Sequence, residues 1–269
     1  MRQIILQQSK RANVGHIGSC LCVVEILCAL YDKVLRVSSP ADPDRDRFVL
    51  SKGHAGLALF AALALKGWLT ESDLNSFCGE KSLFGVHPES AAPGVDFSTG
   101  SLGHGLSIAA GAALAARLQG SSRRVFCLIS DAECNEGSVW EAAMFSSHHG
   151  LGRLTAILDM NGQQALGLTR EVIAIPNLRE RWEAFGWQVE TVDGHSLAEL
   201  TETLQRDGAP DGAPRMVLAR TVFGKGISFM EKGLPSPHWC LQQHPINWHY
   251  LPMNDQEYSL ALSELETVD

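Results

Sequence analysis

The spacing of apolar residues predicts helices in the first third of the chain. In residues 23–34 and 55–66, apolar side chains recur at three- and four-residue intervals, which is typical of buried or half-buried helices. The loop 38–47, which contains two prolines, separates the two segments. We expect these helices to pack against a core that the later part of the chain provides.

After residue 124 the pattern changes to short apolar runs that alternate with helical periodicity. The runs predict strands, and these lie at residues 125–129, 154–159, 187–192 and 216–220. A helix is predicted at 139–149, between the first two strands. This alternation favours an α/β fold with a mostly parallel sheet and helices on both of its faces. A surface loop at 207–214 and a peripheral helix after Asn254 complete the prediction.

Composition favours one globular domain over residues 1–269. The chain is 45% hydrophobic, which is enough for a large core, and its net charge of -8 argues against binding to nucleic acid. Its start lacks the apolar core of a secretory signal, and no apolar run reaches the roughly 20 residues that span a bilayer. The seven cysteines form no CxxC pair. We therefore expect a cytoplasmic protein with reduced thiols and no membrane contact.

Polar side chains follow two of the predicted strands, at the strand ends where parallel sheets bind ligands. Asp131 comes just after the strand 125–129, and Asn161 comes just after 154–159. Mg²⁺ prefers about six hard oxygen ligands. The Asp131 carboxylate, the Asn161 amide oxygen and a backbone carbonyl near Gln163 can supply three of them, leaving the others to a diphosphate and a water. In isolation, a helix-capping Asp and an unrelated turn Asn would explain the same residues.

The segment 129–137, taken with Asn161, resembles the thiamine diphosphate signature of transketolases, in which Gly-Asp-Gly is followed later by Asn. In this chain Ser130 and Ala132 replace the two glycines. The Cβ atom of Ala132 crowds a place where a backbone N–H should approach the diphosphate, so we expect weakened but surviving cofactor binding. The resemblance implies bound thiamine diphosphate together with Mg²⁺, which Ca²⁺ or Mn²⁺ can replace.

Further segments are similar to the amino-terminal subunit of two-piece transketolases, and this resemblance covers nearly the whole chain. Three matching loops contribute one histidine each, namely His16, His54 and His87. A glycine-rich turn at 98–105 matches the family's cofactor-binding turn and contains Gly100, Ser101 and Leu102. In this turn His104 stands where many relatives have Gln. Matches at 139–144 and 221–230 extend the likeness beyond the site.

The resemblance implies a role for each matching residue. The family's histidines line a funnel above thiamine, where neutral imidazoles bind ketose hydroxyls and assist proton transfer, and the matching residues are His16, His54, His87 and His238. The loop that carries His238 is longer and richer in proline than the family's loop. The implied cofactor contacts are His54, Gly100, Ser101, Leu102, Asp131, Ala132, Glu136, Asn161, Gln163 and His238. The implied metal ligands are Asp131, Asn161 and Gln163.

The other histidines are expected to be ordinary polar or solvent-facing side chains. They include His148, His149, His195, His244 and His249. Glu136 would support the contact with a partner subunit, or it is simply an exposed acidic residue favoured in the first turn of a helix. For Glu25, which lies in an apolar helix, a family position and a buried ion pair remain equal alternatives.

A partner is implied by the same resemblance. In the family, thiamine is activated by a Glu on a second, pyrimidine-binding domain, and the chain ends at Asp269 without room for it. We therefore expect a separate C-terminal, pyrimidine-binding subunit in an α2β2 assembly. The implied reaction moves a two-carbon ketol unit from a ketose, often a sugar phosphate, to an aldose acceptor.

Two other functions remain open from the sequence. The first is a specialised thiamine diphosphate enzyme that transfers a ketol or acyl unit in secondary metabolism, which the departures at Ser130, Ala132 and the His238 loop favour. The second is a non-catalytic scaffold that keeps the fold without the cofactor. A scaffold would be expected to have lost ligands such as Asp131 and Asn161, which are intact here.

Overall fold

The computed structural model describes residues 1–231 and 248–266. In chain order its helices and strands are α1 (Arg2–Ala12), α2 (Ile17–Leu21), α3 (Val24–Ala29), β1 (Arg47–Leu50), α4 (Gly56–Leu65), α5 (Glu71–Asn75), α6 (Gly105–Leu118), β2 (Val125–Ser130), α7 (Gly137–His148), β3 (Leu154–Met160), β4 (Gln163–Gln164), β5 (Gly167–Leu168), α8 (Thr169–Val172), α9 (Leu178–Ala184), β6 (Gln188–Asp193), α10 (Leu197–Gln205), β7 (Arg215–Arg220), α11 (Ser228–Glu231) and α12 (Asp255–Glu266). A π-helical turn at Leu30–Val34 extends α3, and 3₁₀ turns lie at Gly53–Ala55 and Ala132–Asn135.

The main sheet has five strands in the order β1-β2-β3-β7-β6, and every neighbouring pair is parallel. The predicted α/β class with a mostly parallel sheet is therefore confirmed. A separate hairpin pairs β4 with β5 in the antiparallel sense. The carboxyl ends of the five parallel strands meet at one edge of the sheet, which is where a ligand site is expected in such folds.

Side chains of the central strands alternate between two hydrophobic layers. Phe126 and Leu128 of β2 face a layer that includes residues of α1 to α4, α10 and α12. Cys127 and Ile129 face the opposite layer, with α6, α7 and Trp182 of α9. Helices therefore cover both faces of the sheet, as the sequence pattern predicts, and this explains why the strands are apolar on both sides.

The strand β1 corrects the prediction for the first third of the chain. That part was expected to be helical, but Arg47–Leu50 pairs in parallel with Val125–Leu128 at the edge of the sheet. Four residues are too few to show a clear alternation, and they follow a proline-containing loop directly. The strand matters for function because the chain continues from it into the loop that carries His54.

A charged network centred on Asp46 lies where β1 and β2 begin. The Asp46 side chain is 1% exposed. Its carboxylate accepts hydrogen bonds from the guanidinium groups of Arg36 and Arg124 and from both of their backbone N–H groups. Burial alone would raise the pKa of Asp46, but these cationic partners hold it below its usual range. The network fixes the loop before β1 against the start of β2.

No helix among residues 1–231 and 248–266 is long and apolar enough to cross a bilayer. The six cysteines in this part of the chain are free thiols, and Cys240 lies outside the described residues.

We expect Asp46→Asn to lower the free energy of unfolding by about 3 kcal/mol, because it removes the buried carboxylate that pairs with the buried guanidinium of Arg124. The pKa of Asp46 is lower in the folded than in the unfolded chain. Its contribution is therefore complete above about pH 4 and is lost as the pH falls through the folded pKa. Urea unfolding at pH 7 and at lower pH measures both effects.

Asp207→Asn is the matched control for this experiment. Asp207 binds the same guanidinium, that of Arg124, but its side chain is 63% exposed. Solvent screens an exposed pair, so the variant should cost less than about 1 kcal/mol. Equal losses in the two variants would contradict a special role for the buried carboxylate.

Candidate active site

Asp131 lies at the end of β2 and contacts the loop that follows β3. The Oδ2 atom accepts hydrogen bonds from the backbone N–H of Gly162 at 2.9 Å and from the hydroxyl of Thr169 at 3.1 Å. The Oδ1 atom accepts from the backbone N–H of Ala132 at 2.9 Å. Burial, and then the charge of Asp159, raise the pKa of Asp131 to about 6. The site therefore holds a desolvated carboxylate that a cation would stabilise.

The amide of Asn161 is oriented by two hydrogen bonds. Its Nδ2 donates to Oδ2 of Asp159 at 2.8 Å, and its Oδ1 accepts from the backbone N–H of Gln163 at 2.9 Å. The amide oxygen therefore lies on the side of the Asn161–Gln163 turn, which also donates a hydrogen bond to Asp131. The structure brings together the three residues that the sequence suggested as metal ligands.

The oxygen atoms near this turn are suitable ligands for a hard cation. Among the described residues, no group of three or more His, Cys, Asp or Glu could hold a metal ion. A cation at Asp131 would therefore need amide and carbonyl oxygens as well, and Asn161 and Gln163 carry them. One carboxylate with neutral oxygens suits Mg²⁺, which usually keeps few protein ligands and shares the rest with phosphates and water.

A buried ion pair that the sequence did not reveal connects two strand ends. Nζ of Lys52, just after β1, lies 2.5 Å from Oδ2 of Asp159 in β3, and neither residue is measurably exposed. Burial alone would lower the pKa of Lys52, but the adjacent carboxylate raises it above its usual range. Cys22 also donates to Asp159 Oδ2, at 3.1 Å, and Thr221 donates to Oδ1.

The glycine-rich turn 98–105 is anchored by Glu133, a fully buried residue that the sequence did not single out. Its carboxylate accepts from the Gly103 N–H and from the Ser51 hydroxyl. It also accepts from the backbone N–H of Ser130, at 2.9 Å, and the Ser130 hydroxyl lies 3.3 Å away. Serine in place of the usual glycine thus fits the local hydrogen bonding. Glu133 is distinguished only by its burial next to the end of a strand, and a single sequence does not show which acidic residues are buried.

Gly100 lies where a side chain would not fit easily. A Cβ atom there would come within 3.3 Å of the His87 ring, and one on Gly53 would come within 3.0 Å of Gly100 itself. The two backbones therefore pass close together, next to His87, at the same edge of the sheet. Ser101 is exposed and Leu102 is partly exposed beyond this contact. The turn leaves its backbone accessible, which a diphosphate group requires.

Three histidine rings meet at this edge of the sheet. The ring centroids of His16 and His54 are 5.3 Å apart, and the ring of His249 lies 5.7 Å from the first and 5.6 Å from the second. Phe223 stacks on His249, and the exposed ring of Tyr250 lies 5.0 Å from it. We call the three imidazoles the histidine cluster.

His249 corrects the prediction from sequence, which treated it as an ordinary polar residue. It is 7% exposed, and its backbone carbonyl accepts a hydrogen bond from the His16 N–H at 3.0 Å. Gly15 permits this approach, because a Cβ atom there would lie 2.2 Å from the Tyr250 carbonyl oxygen. The buried Trp248, which packs against Phe229, precedes it and holds the segment. The only sequence signal was this aromatic neighbour.

The histidine cluster is uncharged at neutral pH. Burial, and then neighbouring positive charges, lower the pKa of His16 and of His249 to about 4, and burial also lowers that of His54 far below its usual range. The Nδ1 atoms of His16 and His249 are buried and have no hydrogen-bond partner among the described residues. The rings of His16 and His249 therefore each have a nitrogen atom that makes no hydrogen bond within the described residues and could make one to a ligand.

Comparison with known proteins agrees with this geometry. The family described as "Transketolase, thiamine diphosphate binding domain" matches residues 1–239. The chain belongs to this family.

The chain is similar to transketolase subunits over almost their full length. It is 36% identical over 269 residues to the 6-deoxy-6-sulfo-D-fructose transketolase subunit SqwG of Clostridium sp. (strain MSTE9), covering 99% of this chain and 94% of that protein. It is 37% identical to an apulose-4-phosphate transketolase subunit of Actinobacillus succinogenes, covering 98% and 92%. This transketolase-family chain is therefore a transferase subunit of the thiamine diphosphate-dependent, ketol-transferring type.

Solved transketolases have the same fold. The enzyme of Campylobacter jejuni superposes with a TM-score of 0.84 at 27% identity, covering 98% of this chain and 41% of that one. The enzyme of Leishmania mexicana gives 0.85 at 25% identity, covering 98% and 40%. The chain thus corresponds to less than half of these proteins, and the relatives of its own length are named as subunits. A partner subunit that carries the C-terminal part is implied.

Three of the predicted site residues remain to be placed. Ala132 is partly buried, and its N–H is engaged by Asp131, so it offers no free donor here. Glu136 is exposed and lies next to Gly103, where a Cβ atom would meet its side chain at 2.6 Å. It is therefore accessible from solvent beside the glycine-rich turn. His238 lies outside the described residues.

His195 and Glu25 form an ordinary structural contact. Nδ1 of His195 lies 2.9 Å from Glu25, and its Nε2 accepts from the Val222 N–H at 2.8 Å. Glu25 also pairs with Arg2 at 2.7 Å. Burial alone would raise the pKa of Glu25, but His195 and Arg2 lower it to about 2. The structure thus favours the ion-pair alternative for Glu25 and the polar role expected for His195.

We expect acid to destabilise the subunit through its neutral histidine cluster. The pKa of His16 and of His249 is about 4 in the folded chain, whereas an unfolded histidine has a pKa of about 6.5. Between these values the unfolded chain binds more protons, so the free energy of unfolding should fall as the pH is lowered from 7 to 5. Urea unfolding across this range measures the slope.

His249→Asn should make this slope shallower, because it removes one of the protons taken up on unfolding. His148→Asn, on the exposed end of α7, is the control and should leave the slope close to that of the wild type. A steep slope that survives His249→Asn would contradict the buried, neutral assignment.

Proposed function

We propose that this chain binds the diphosphate of thiamine diphosphate through Mg²⁺ and forms one wall of a transketolase active site. Asp131, Asn161 and the Gln163 carbonyl would hold the cation, in which Ca²⁺ or Mn²⁺ can replace Mg²⁺. One observation supports the proposal most strongly. The oxygen-rich turn and the neutral histidine cluster both lie at the carboxyl ends of the strands of one parallel sheet. Glycine-rich backbone at Gly100 would lie against the diphosphate.

Thiamine diphosphate, when bound, supplies the carbon nucleophile and electron sink that ketol transfer needs. The chain's own residues would bind and orient the cation and the cofactor. The Asp131 carboxylate would offset part of the cation's charge, and burial around it would exclude competing water. The exposed Ser101 and the partly exposed Leu102 would contact the cofactor at the mouth of the site.

We assign the histidine cluster to substrate hydroxyls and proton movement. A neutral imidazole has one donor and one acceptor nitrogen, so it can bind a hydroxyl and also move a proton near pH 7. His16 and His249 each have a buried Nδ1 without a protein partner, which supports this role. His54 would contact both cofactor and substrate, and the exposed His87 would contact the part of the substrate nearer the entrance. His238, expected from sequence to act with them, stays a prediction.

We propose sugars as substrates, with a ketose donor and an aldose acceptor. The relatives are named for a sulfonated fructose and for apulose 4-phosphate, both sugars with an anionic group. Lys52, the charged side chain that lowers the pKa of His54 most, is buried and paired with Asp159. The neutral cluster therefore suits the polyol part of a sugar, and the basic groups for a phosphate or sulfonate would belong to the partner.

The assembly we propose is α2β2, with the pyrimidine-binding subunit supplying the Glu that activates thiamine. The exposed Glu136 beside the glycine-rich turn supports a contact at this point. The reduced cysteines suit a cytoplasmic location. The named sugars of the relatives also favour a specialised pathway over central metabolism, whereas the well-formed metal turn disfavours a cofactor-free scaffold.

Asp131→Ala should abolish Mg²⁺-dependent binding of thiamine diphosphate. The variant removes the one carboxylate of the proposed metal site, and the remaining amide and carbonyl oxygens carry no net charge. Calorimetric titration of thiamine diphosphate with Mg²⁺ into this chain mixed with its partner subunit measures the effect, and titration of the chain alone shows whether the partner is needed. Unchanged affinity in the variant would remove the metal assignment.

His249→Asn should leave a folded complex that binds thiamine diphosphate but turns over slowly. Loss of a proton-transferring imidazole typically costs about a hundredfold or more in rate. His54→Ala should behave similarly, and His148→Asn, outside the histidine cluster, should retain wild-type kcat/KM. The measurement is the rate of ketol transfer with a ketose phosphate donor and a short aldose acceptor. Full activity of His249→Asn would remove this residue from the site.

A further inference from the structure

The ion pair of Lys52 and Asp159 has no part in the steps proposed above. Both side chains are buried, at 1% and 0% exposure, and Nζ lies 2.5 Å from Oδ2. Removing two charges from water is costly, and apolar residues of similar volume often serve stability as well or better. Stability alone therefore does not explain why the pair is here, and its other contacts decide what it does.

The most informative of these contacts is made by Asn161. Its Nδ2 donates to the same Oδ2 atom of Asp159, at 2.8 Å. An ionised carboxylate only accepts hydrogen bonds, whereas the two ends of an amide differ, because one donates and the other accepts. The amide nitrogen must therefore face Asp159, and the amide oxygen must face the other way, where it accepts from the Gln163 N–H.

We propose that the Lys52–Asp159 pair is a positioning device for Asn161, an inference that rests on the proposed metal site. It holds the amide nitrogen away from the cation and presents the amide oxygen to it. An inverted Asn161 would place an –NH₂ group at the cation, which cannot bind it. Asp159 and Lys52 are positioning residues that act through Asn161.

The strand arrangement explains why two charges are used. Lys52 follows β1 and Asp159 lies in β3, and these strands flank β2, which ends at Asp131. The ammonium group holds the carboxylate from across the sheet. Its positive charge also lies against the carboxylate of Asp159, which is next to Asp131 in the sheet.

The test replaces the pair by apolar residues of similar shape, in the double variant Lys52→Met with Asp159→Leu. The complex with the partner subunit is titrated with Mn²⁺ at saturating thiamine diphosphate, and free Mn²⁺ is measured by electron paramagnetic resonance. We expect the Mn²⁺ dissociation constant to rise about tenfold, the scale of one lost orienting hydrogen bond. The Gln163 N–H still favours the correct orientation, so binding should weaken rather than vanish.

Adding Asn161→Asp to the double variant should restore Mn²⁺ affinity to the wild-type level or better. The two oxygens of a carboxylate are equivalent, so its orientation no longer matters. In the otherwise wild-type chain, Asn161→Asp should instead weaken binding, because its carboxylate would face that of Asp159. Both backgrounds have the same net charge before the Asn161→Asp change, so a reversal of sign reports direct contact between residue 161 and the Asp159 carboxylate. The loss of affinity in the pair variant with Asn161 intact is what reports the positioning role.

Thr221→Val is the matched control. It removes the hydroxyl that donates to the other oxygen of Asp159 and leaves the contact with Asn161 in place. The Mn²⁺ dissociation constant should stay within about threefold of the wild type, as for a weak hydrogen bond. Circular dichroism and size-exclusion chromatography establish that each variant folds and assembles.

The outcomes separate this inference from the proposed function. If the wild type does not bind Mn²⁺, the proposed metal site fails and the inference fails with it. If Asp131→Ala loses Mn²⁺ while the pair variant keeps wild-type affinity, the metal site stands and the positioning role is overturned. If the pair variant does not fold, Asp159→Asn takes its place. The new amide at position 159 can meet Asn161 with either its oxygen or its nitrogen, so it no longer selects one orientation, and Mn²⁺ affinity equal to that of the wild type would overturn the inference.

Discussion

The candidate active site depends on the parallel register of β1, β2, β3 and β7, whose carboxyl ends are held together by the pair of Lys52 and Asp159. Asp159 receives donors from the ends of β1 and β7, from the loop after β3 and from Cys22 in the amino-terminal helical layer. One buried carboxylate thus connects the three segments that carry His54, Asn161 and Thr221. Breaking one side of such a pair would leave an uncompensated charge in the core, so the geometry is strongly restrained.

Two different electrostatic environments lie next to this ion pair, one at Asp131 and the other at the histidine cluster. At Asp131 an acidic group is kept in a desolvated place where it favours a cation. A short distance along the same edge, burial keeps the imidazoles of the histidine cluster neutral. A site of this kind can bind a negatively charged diphosphate through a metal and neutral hydroxyl groups through histidines. Burial produces both effects, because it disfavours whichever form of a group is charged.

The predictable part of the site follows from local pattern. Asp131 and Asn161 each follow a clearly apolar strand, and parallel strands place such residues at a common edge, so their proximity could be argued before any coordinates. The strand β1 could not, because four residues after a proline-containing loop show no usable period. Glu133 and Lys52 were also missed, since their importance lies in being buried next to partners far away in the chain.

His249 shows the limit of reading histidines one at a time. Among ten histidines, sequence matching selected His16, His54, His87 and His238 and left His249 as ordinary. The structure places His249 beside His16 and His54. The deciding contact is a backbone hydrogen bond from His16 to His249, more than two hundred residues apart, which Gly15 makes possible.

The amino-acid sequence by itself determined the α/β class and the family, and it indicated which oxygen-bearing residues to propose for a metal site. These follow from periodicity and from motifs that are contiguous or lie on adjacent strands. Only the tertiary structure decided which histidines share a cluster, which end of the Asn161 amide faces Asp159, and which charges are buried. Those properties depend on distances between segments far apart in the chain and on exclusion of water, neither of which a linear pattern encodes.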